Sequence, residues 1–451
     1  MLSIYKQVKC QQHLLQLPKI PQTVNDVQIL FMADSFRLAL IDSISQASRR
    51  IYITALYLEN DKGGQDVLDA LYIAKQQHPE LEIYILVDWH RAQRGRIGTT
   101  TTQTNTDWYY FMTNQYPNIL VPIYGIPINT REILGVFHLK GFIIDDCVIY
   151  SGASLNNVYL HCYDKYRYDR YYFIQNSSLA DTMSDFIQNK ILTHPAAQRL
   201  DLNYRTKRLL ICYKTLQLRH ILRYYKYDVA SIASNEELSV TPLVGLGKYS
   251  LLNQTIQYLI CSTVSNIILC TPYFNIPDIL LRNITNLLYK DKKVEIIVGD
   301  KQANDFYIPV NEKFKITGIL PYLYEINLLN FISFLQHFID NGKLTIRLWT
   351  DKQNTFHLKG IWIDNEWQLI TGSNLNPRSW LLDLENAILI HDPKYQLSQK
   401  FQKELECIRG NTRIINSNLE LETIQQYPIK VRKLIRLFRI VRIDYLINKV
   451  L

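Results

Sequence analysis

Short apolar runs alternate with amphipathic stretches along the 451-residue chain. Residues 51–58 and 344–349 are largely apolar, whereas residues 66–75 carry apolar side chains at three- to four-residue spacing. The first pattern predicts buried strands and the second predicts a helix with one apolar face. Helices that alternate with buried strands are typical of α/β proteins, so the pattern predicts sandwich layers of helices on sheets.

The same order of segments occurs twice. FHLKGFIIDD begins at Phe137, and FHLKGIWIDN begins at Phe356, 219 residues later. The run IYITALYL at residues 51–58 recurs as IILCTPYF, and LEIYILVD recurs as KVEIIVGD, at similar offsets. A repeat of this length indicates an internal duplication. We therefore predict two similar α/β sandwich domains with mixed sheets, comprising residues 1–225 and 226–451.

Charge and composition narrow the choice of partner. Fifty Lys and Arg against 41 Asp and Glu give a net charge of +9, which favours nucleic acid, phosphate substrates or an anionic membrane surface. The seven cysteines are scattered and form no CxxC pair, which predicts reduced thiols and no zinc site. We expect no signal peptide and no transmembrane helix, because the longest apolar region, residues 319–335, contains Glu325 and is typical of buried structure.

The duplicated segment carries a His-x-Lys-x4-Asp motif followed by a Gly-x-x-x-Asn turn. The first copy supplies His138, Lys140, Asp145, Gly152 and Asn156, and the second supplies His357, Lys359, Asp364, Gly372 and Asn376. If the segment is a strand, His and Lys two positions apart project from the same face. An imidazole and an ammonium group would then point into one space.

Together the two copies form a set that suits phosphoryl chemistry. One neutral imidazole can attack phosphorus, and the opposite imidazolium can protonate the leaving oxygen. The lysines and asparagines can stabilise the non-bridging oxygens, and the glycines let backbone amides approach an anion. We predict no metal site and no cofactor, since the lysines supply the positive charge.

Each histidine also needs a carboxylate on its other ring nitrogen to define its tautomer. Asp169 and Glu385 are candidates, because they follow His138 and His357 by 31 and 28 residues, respectively. The motif aspartates Asp145 and Asp364 end apolar strands, so we assign them structural hydrogen bonds instead.

Further basic residues have two interpretations each. Arg91, Arg94 and Arg96 follow a predicted strand and either bind a diphosphate or form a solvated loop, and Arg378 has the same alternatives. The C-terminal stretch 430–449 has apolar residues at helical spacing and predicts a basic amphipathic helix. It either lies on an anionic membrane or packs its apolar face on the protein. Its basic membrane-binding candidates are Arg432, Lys433, Arg436, Arg439 and Arg442.

These motifs resemble the phospholipase D superfamily, whose signature is a duplicated His-x-Lys-x4-Asp-x6-Gly-Ser-x-x-Asn. Segments such as DKYRYDRYY, GSNLNPRSW and LDLENAILIHDP are similar to those of Gram-negative-type phosphatidylserine synthases. The resemblance implies a pseudo-twofold phospholipase D-like fold. It also implies transfer of a phosphatidyl group from CDP-diacylglycerol to L-serine through a covalent phosphatidyl-histidine. His138 would be the nucleophile and His357 the acid and base, with Asp169 and Glu385 as orienting carboxylates.

The resemblance further implies a cytoplasmic enzyme that binds peripherally to the inner face of the cell membrane and requires no nucleic acid. A cardiolipin synthase or phospholipase D-type hydrolase using the same intermediate is the main alternative, because acceptor choice does not follow from motif spacing. A superfamily nucleic-acid enzyme and a non-catalytic membrane-surface protein are weaker ones. The copies are also unequal: Ala153 stands where the signature has Ser, and seven residues rather than six separate Asp364 from Gly372. This inequality indicates different roles for the two halves.

Overall fold

Two large mixed sheets organise the fold of the chain. The computed structural model describes residues 2–94, 103–203, 208–230, 232–309, 311–440 and 442. The strands are β1 (Ile20–Pro21), β2 (Val27–Leu30), β3 (Arg50–Thr54), β4 (Glu82–Asp88), β5 (Ile123–Ile126), β6 (Gly141–Ile144), β7 (Cys147–Ser151), β8 (Arg167–Tyr168), β9 (Tyr171–Gln175), β10 (Gln198–Arg199), β11 (Ser239–Leu246), β12 (Asn266–Thr271), β13 (Lys293–Gly299), β14 (Leu344–Trp349), β15 (Thr355–Phe356), β16 (Gly360–Ile363), β17 (Trp367–Thr371), β18 (Leu384–His391) and β19 (Thr412–Ile415).

Helices cover the sheets. They are α1 (Leu2–Leu15), α2 (Ala33–Gln46), α3 (Lys62–Gln77), α4 (Trp89–Ala92), α5 (Asn105–Gln115), α6 (Ser177–Phe186), α7 (Arg208–Tyr224), α8 (Leu251–Ser262), α9 (Asp278–Tyr289), α10 (Leu320–Asp340), α11 (Pro377–Leu381), α12 (Ser398–Gly410) and α13 (Ile429–Ile440). A π-helical segment, Ile187–Leu192, continues α6. Short 3-10 turns occur at Glu132–Leu134, Lys301–Ala303, Ile316–Ile319 and Asn418–Glu420.

The two sheets have the same topology. The first has the order β10-β5-β4-β3-β6-β7-β9-β2, and the second has the order β19-β14-β13-β12-β16-β17-β18-β11, with β1 added at its edge. Strands β3, β4 and β5 are parallel in the first sheet, and β12, β13 and β14 are parallel in the second. The remaining neighbours are antiparallel. The predicted α/β class with two similar mixed sheets is therefore confirmed.

Element boundaries differ modestly from the predicted ones. Strand β14 covers the predicted residues 344–349, whereas β3 ends at Thr54, before the predicted end at residue 58. Helix α3 begins at Lys62, because the side chain of Asp61 accepts a hydrogen bond from the backbone N–H of Gly64 and caps the helix there. Its apolar face, which includes Val67 and Leu71, is buried against the first sheet's core.

The halves share a continuous core, and the N-terminal segment joins the second half. One hydrophobic cluster contains Ile53 and Phe142 from the first sheet together with Trp349 and Ile388 from the second. Helix α1 packs on α8, and β1 pairs antiparallel with β11. Helix α1 and strand β1 thus pack with elements of the second half. The division near residue 225 stays a prediction.

Helix α10 and the 3-10 turn before it form the one described segment that is long and apolar enough to cross a membrane by length and composition. Most of this segment is buried inside the protein. Leu328, Ile332 and Leu335 lie in the second hydrophobic cluster. The apolar region thus serves the core in this structure.

Helix α13 also packs its apolar stripe on the protein. Val431 and Ile435 are 1% exposed and contact a cluster that includes Tyr322 and Leu323 of α10. The hypothesis that this stripe faces lipid is therefore wrong for these two residues, because helical periodicity is the same for a core face and a membrane face. The outer face stays basic. Of the five membrane-binding candidates, Lys433, Arg436, Arg439 and Arg442 are exposed and Arg432 is half-buried.

Candidate active site

Each His-x-Lys segment contacts the opposite half of the chain. Each segment lies just before a strand, β6 or β16, and not within it. The condition that the motif residues form a strand is therefore not met. The backbone N–H of His138 donates to Leu384 O at 3.0 Å, and that of His357 donates to Tyr168 O at 2.8 Å. Each segment therefore runs beside a strand of the opposite half, β18, which contains Glu385, or β8, which Asp169 directly follows.

The histidine–carboxylate pairs are consequently crossed. His138 Nδ1 lies 2.9 Å from Glu385 Oε2, and His357 Nδ1 lies 2.8 Å from Asp169 Oδ2. All four side chains are buried. The expectation that each histidine uses the carboxylate of its own half is wrong, because the chain exchanges strand partners at the interface between halves. Neither half holds a complete pair by itself.

The surroundings of both imidazoles allow them to act as bases or nucleophiles. A carboxylate at Nδ1 accepts the Nδ1 proton and leaves the Nε2 lone pair available. Burial, followed by the charges of nearby lysines, lowers the pKa of both His138 and His357 well below the usual 6.5. The imidazoles are therefore neutral near pH 7.

The two motif lysines are placed differently. Lys140 Nζ donates to Ser154 Oγ at 2.9 Å and to Ala153 O at 3.3 Å. Ser154 thus supplies a hydroxyl next to the position where Ala153 lacks one. Lys359 Nζ instead contacts the ring of His357, 2.9 Å from Nε2. Burial lowers the pKa of Lys140 to about 7, assisted by the charge of Lys359, and lowers that of Lys359 to about 8.

The motif glycines allow close approach to catalytic side chains. A Cβ on Gly152 would lie 2.7 Å from an oxygen of Asp169, and a Cβ on Gly372 would lie 2.6 Å from Cγ of Lys140. Either substitution would displace one of these buried groups. Small residues are needed here to make room for the neighbouring side chains.

The motif asparagines line the cavity and also organise its walls. Asn156 Nδ2 donates to Glu59 Oε2 at 2.9 Å, and Asn156 Oδ1 accepts from the N–H of Tyr159. Asn376 Oδ1 accepts from the N–H of Ser379 and caps α11. Their proposed contact with phosphate oxygens stays a prediction.

The motif aspartates bind backbone amides away from the histidines. The side chain of Asp145 accepts from the N–H groups of residues 48, 49 and 50 at 2.8–3.1 Å. That of Asp364 accepts from residues 264, 265 and 266 at 2.7–2.8 Å. Each aspartate therefore ties the turn after β6 or β16 to the start of the neighbouring strand, β3 or β12.

A cavity of about 790 Å³ opens in front of both histidines. This volume lies within the usual range of about 300–1,000 Å³ for ligand pockets. The wall near His138, here called the arginine wall, consists of Arg91, Arg94, Glu132, Arg378 and Asp383. The wall near His357 includes Tyr159, Arg167, Tyr273 and Asp305.

The arginine wall is built from ion pairs. Glu132 joins Arg91 at 2.8 Å and Arg94 at 2.9 Å, and Arg378 joins Asp383 at 3.0 Å. Burial opposes ionisation of Glu132, but the hydrogen bond from Arg94 and the charge of Arg91 outweigh it, and the pKa of Glu132 lies below its usual value. Three cations against two carboxylates suit an anionic ligand. The third predicted arginine, Arg96, lies outside the described residues.

The residues around His357 were not predicted from the sequence. Tyr159 Oη lies 3.1 Å from His357 Nε2, and Arg167 Nη2 lies 2.9 Å from Asp305 Oδ1. A signal for Arg167 exists, because it precedes Asp169 by two positions, the spacing that puts two residues on one face of an extended strand. Asp305 has no comparable signal. Among the described residues, no group of three or more His, Cys, Asp or Glu is arranged to hold a metal ion.

Comparison with known proteins places this site in a family. Residues 256–409 match the family model described as "Cardiolipin synthase, PLD-like domain". The CDP-diacylglycerol–serine O-phosphatidyltransferase PssA of Escherichia coli (strain K12) is 56% identical, with both chains covered completely. The chain belongs to the CDP-diacylglycerol–serine O-phosphatidyltransferase family.

Two further matches agree with this family assignment. The relative from Haemophilus influenzae with the same enzyme name is 44% identical, covering 99% of this chain and all of its own. The crystal structure of phosphatidylserine synthase from that organism matches with a TM-score of 0.95 at 43% identity, covering 99% of this chain and 100% of its own. The phospholipase D-like fold that the resemblance implied is thus confirmed.

Proposed function

We propose that this chain transfers the phosphatidyl group of CDP-diacylglycerol to L-serine and releases CMP. The observation that carries the proposal is the pair of buried, neutral imidazoles that face one cavity, each held by a carboxylate of the other half. Two serine phosphatidyltransferases match the chain over its full length, which supports this substrate pair.

In the first step, His138 acts as the nucleophile. Its Nε2 lone pair attacks the phosphatidyl phosphorus, a P–N bond forms, and the P–O bond to CMP breaks. His357, when protonated, gives a proton to the leaving phosphate oxygen. Negative charge on the bound diphosphate favours protonation of this imidazole and of Lys140 and Lys359, which stabilise the non-bridging oxygens.

The arginine wall fits the diphosphate of the nucleotide-lipid. Guanidinium groups bind phosphate oxygens through paired, charge-assisted hydrogen bonds. Arg91, Arg94 and Arg378 already lie at one wall and are held in place by carboxylates. We assign this wall to CDP-diacylglycerol binding, in preference to the alternative that the arginines form a solvated loop.

In the second step, the roles reverse. Neutral His357 takes the proton of the serine hydroxyl, the hydroxyl oxygen attacks phosphorus, and the P–N bond to His138 breaks. Phosphatidylserine leaves and His138 regains its lone pair. Because one intermediate links two half-reactions, steady-state kinetics should follow a ping-pong pattern.

Product analysis tests the assignment against the alternatives. Incubation with CDP-diacylglycerol and L-serine should yield phosphatidylserine and CMP in equal amounts, and omission of serine should remove the lipid product. Phosphatidic acid as the main product would identify a hydrolase. Cardiolipin formed from added phosphatidylglycerol, with serine ignored, would identify a cardiolipin synthase.

The enzyme is proposed to work at the cytoplasmic face of an anionic membrane. Drawing a lipid into water costs about 0.8 kcal/mol per CH₂ group, so the acyl chains should stay in the bilayer. Lys433, Arg436 and Arg439 present an exposed basic face on α13. The helix packs on the segment that includes Leu320 and Tyr324, which also line the cavity. A membrane bound to this face would therefore lie close to the site.

A further inference from the structure

An ion pair lines the cavity beside His357 and has no part in the steps above. Arg167 Nη2 lies 2.9 Å from Asp305 Oδ1, and both side chains are largely buried. The pair is held from behind, because Arg167 Nε donates to Thr355 Oγ1 at 3.3 Å and Tyr273 Oη donates to Asp305 Oδ2 at 3.0 Å. Its position is thus fixed relative to the strand that leads into His357.

The pair lies within reach of the base nitrogen. The guanidinium carbon of Arg167 is 4.5 Å from the centre of the Tyr159 ring, and Tyr159 Oη is 3.1 Å from His357 Nε2. The guanidinium and the imidazole therefore contact the same tyrosine side chain, and all three groups line the cavity. A serine molecule reaches about 4 Å from hydroxyl oxygen to carboxylate carbon, given ordinary bond lengths. With a hydrogen bond of about 2.8 Å at each end, its carboxylate and hydroxyl can contact two cavity groups that share one neighbouring side chain.

We propose that the Arg167–Asp305 pair is the acceptor subsite, in which Arg167 binds the α-carboxylate of serine and Asp305 binds its α-ammonium group. The inference rests on the proposed function and adds the residues that choose the acceptor. The serine hydroxyl would then point to His357 Nε2, which removes its proton in the second step.

Both members of the pair have capacity for a second partner. Asp305 Oδ1 is buried, and its ion pair with Arg167 lies outside hydrogen-bond geometry, so this oxygen can accept from a further donor. A guanidinium group carries five N–H donors, and no described residue accepts from Nη1 of Arg167. A zwitterion placed across the pair would give four alternating charges. Such an arrangement compensates each buried charge without separating the original pair.

The contrast with the arginine wall supports this division. Three arginines and two carboxylates suit a ligand with net negative charge, whereas one arginine and one aspartate suit a ligand with no net charge. The equivalent of Arg167 in the second half is Asp383, which precedes Glu385 by two positions as Arg167 precedes Asp169. The duplicated framework thus carries opposite charges at matching positions beside the two histidines.

The test separates acceptor recognition from the first step. Arg167→Gln and Asp305→Asn are assayed in detergent micelles of CDP-diacylglycerol for the KM of L-serine, and separately for exchange of labelled CMP into CDP-diacylglycerol without serine. Each variant should raise the KM of serine by about 30-fold or more, because a charge-assisted contact is lost. The exchange rate should stay within about threefold of the unmodified enzyme, since exchange needs no acceptor.

Acceptor analogues give a readout that a merely structural role would not produce. Ethanolamine lacks the carboxylate and 3-hydroxypropionate lacks the ammonium group, and both are smaller than serine. Arg167→Gln should reduce the preference for serine over ethanolamine, and Asp305→Asn should reduce the preference for serine over 3-hydroxypropionate. The preference for serine over 3-hydroxypropionate in Arg167→Gln, and the preference for serine over ethanolamine in Asp305→Asn, should change much less.

A matched control lies outside the cavity. Arg347 and Glu295 form a partly buried ion pair across β13 and β14, and Arg347→Gln should leave the KM of serine unchanged. If a subsite variant unfolds, Arg167→Lys and Asp305→Glu replace it in the same analogue assay. An unchanged KM of serine, or an equal loss of CMP exchange, would overturn the acceptor assignment. Failure of the unmodified enzyme to make phosphatidylserine, with CMP exchange intact, would instead contradict the proposed function.

Discussion

The two sides of the cavity share a framework but differ in the groups placed on it. Each side has a His-x-Lys segment, a carboxylate at the histidine Nδ1 and the same strand order behind it. Yet Lys140 is directed to Ser154, whereas Lys359 contacts the ring of His357. The duplication therefore supplies two equivalent imidazoles, and the surrounding residues give them different environments.

The difference continues along the walls. The His138 side presents Arg91, Arg94 and Arg378, and the His357 side presents the Arg167–Asp305 pair. Charge at one wall suits the departing nucleotide, and the balanced pair at the other suits an amino acid. We therefore propose that symmetry positions the reacting groups and that residues outside the symmetric motif assign the half-reactions.

Substitution of the crossed carboxylates should have the largest effect on the overall rate. Asp169→Asn and Glu385→Gln keep size but lose the negative partner of Nδ1, and each should lower the overall rate by about 10³- to 10⁴-fold, as expected when a carboxylate no longer fixes the imidazole tautomer. Glu385→Gln should slow CMP exchange as strongly as His138→Ala does. If Asp169→Asn and not Glu385→Gln had that effect, the crossed pairing would be contradicted.

The two basic helices offer the next comparison, because α7 follows β10 as α13 follows β19. Charge reversal at Lys433, Arg436 and Arg439 should weaken binding to anionic vesicles by at least about 100-fold, because the loss of each positive charge alone costs about 1 kcal/mol. Activity in detergent micelles should change little. The control reverses Lys214 and Arg223 of α7 together with Lys226, which follows that helix in a second stretch rich in Lys and Arg. Loss of vesicle binding in the control alone would assign the membrane contact to that stretch.

The arginine wall should govern the nucleotide-lipid and not the acceptor. Arg91→Gln combined with Arg94→Gln removes two charged partners of the proposed diphosphate, and the KM of CDP-diacylglycerol should rise by about 10- to 100-fold. The KM of serine should stay within about twofold. Initial-rate kinetics with both substrates varied measure the two constants. An increase confined to the KM of serine would assign the acceptor to the arginine wall and the nucleotide-lipid to the opposite wall.

The pH profile follows from the shifted pKa values. Lys140 and Lys359 must be charged, and their pKa values are lowered to about 7 and about 8, so kcat/KM for CDP-diacylglycerol should fall as pH rises through this range. Because both lysines are required, the fall should approach tenfold per pH unit between pH 7 and 8 and a hundredfold per pH unit above pH 8. On the acid side, the lowered pKa of His138 keeps the nucleophile neutral below pH 6.5. A profile that stays flat to pH 10 would contradict the lysine assignment.

The repeated motif was sufficient to predict much of the fold and the central residues. Its spacing identified His138 and His357 and indicated two similar sheets. Strand exchange between halves was not predictable, because the partner of an extended segment depends on tertiary packing and not on local pattern. Asp305 was also missed, since it lies in a loop and has no repeated counterpart. The apolar stripe of α13 has a periodicity that serves a membrane or a core equally well, and Val431 proved to be buried.

The central claim is that His138 and His357 occupy equivalent positions but have different catalytic roles. Incubation with CDP-diacylglycerol labelled in the phosphatidyl group, without serine, followed by rapid denaturation and peptide mapping, tests it most directly. The label should lie on His138, should be absent from His138→Ala and should still form, at a reduced rate, in His357→Ala. Label on His357 in the unmodified enzyme, retained in His138→Ala, would contradict the account.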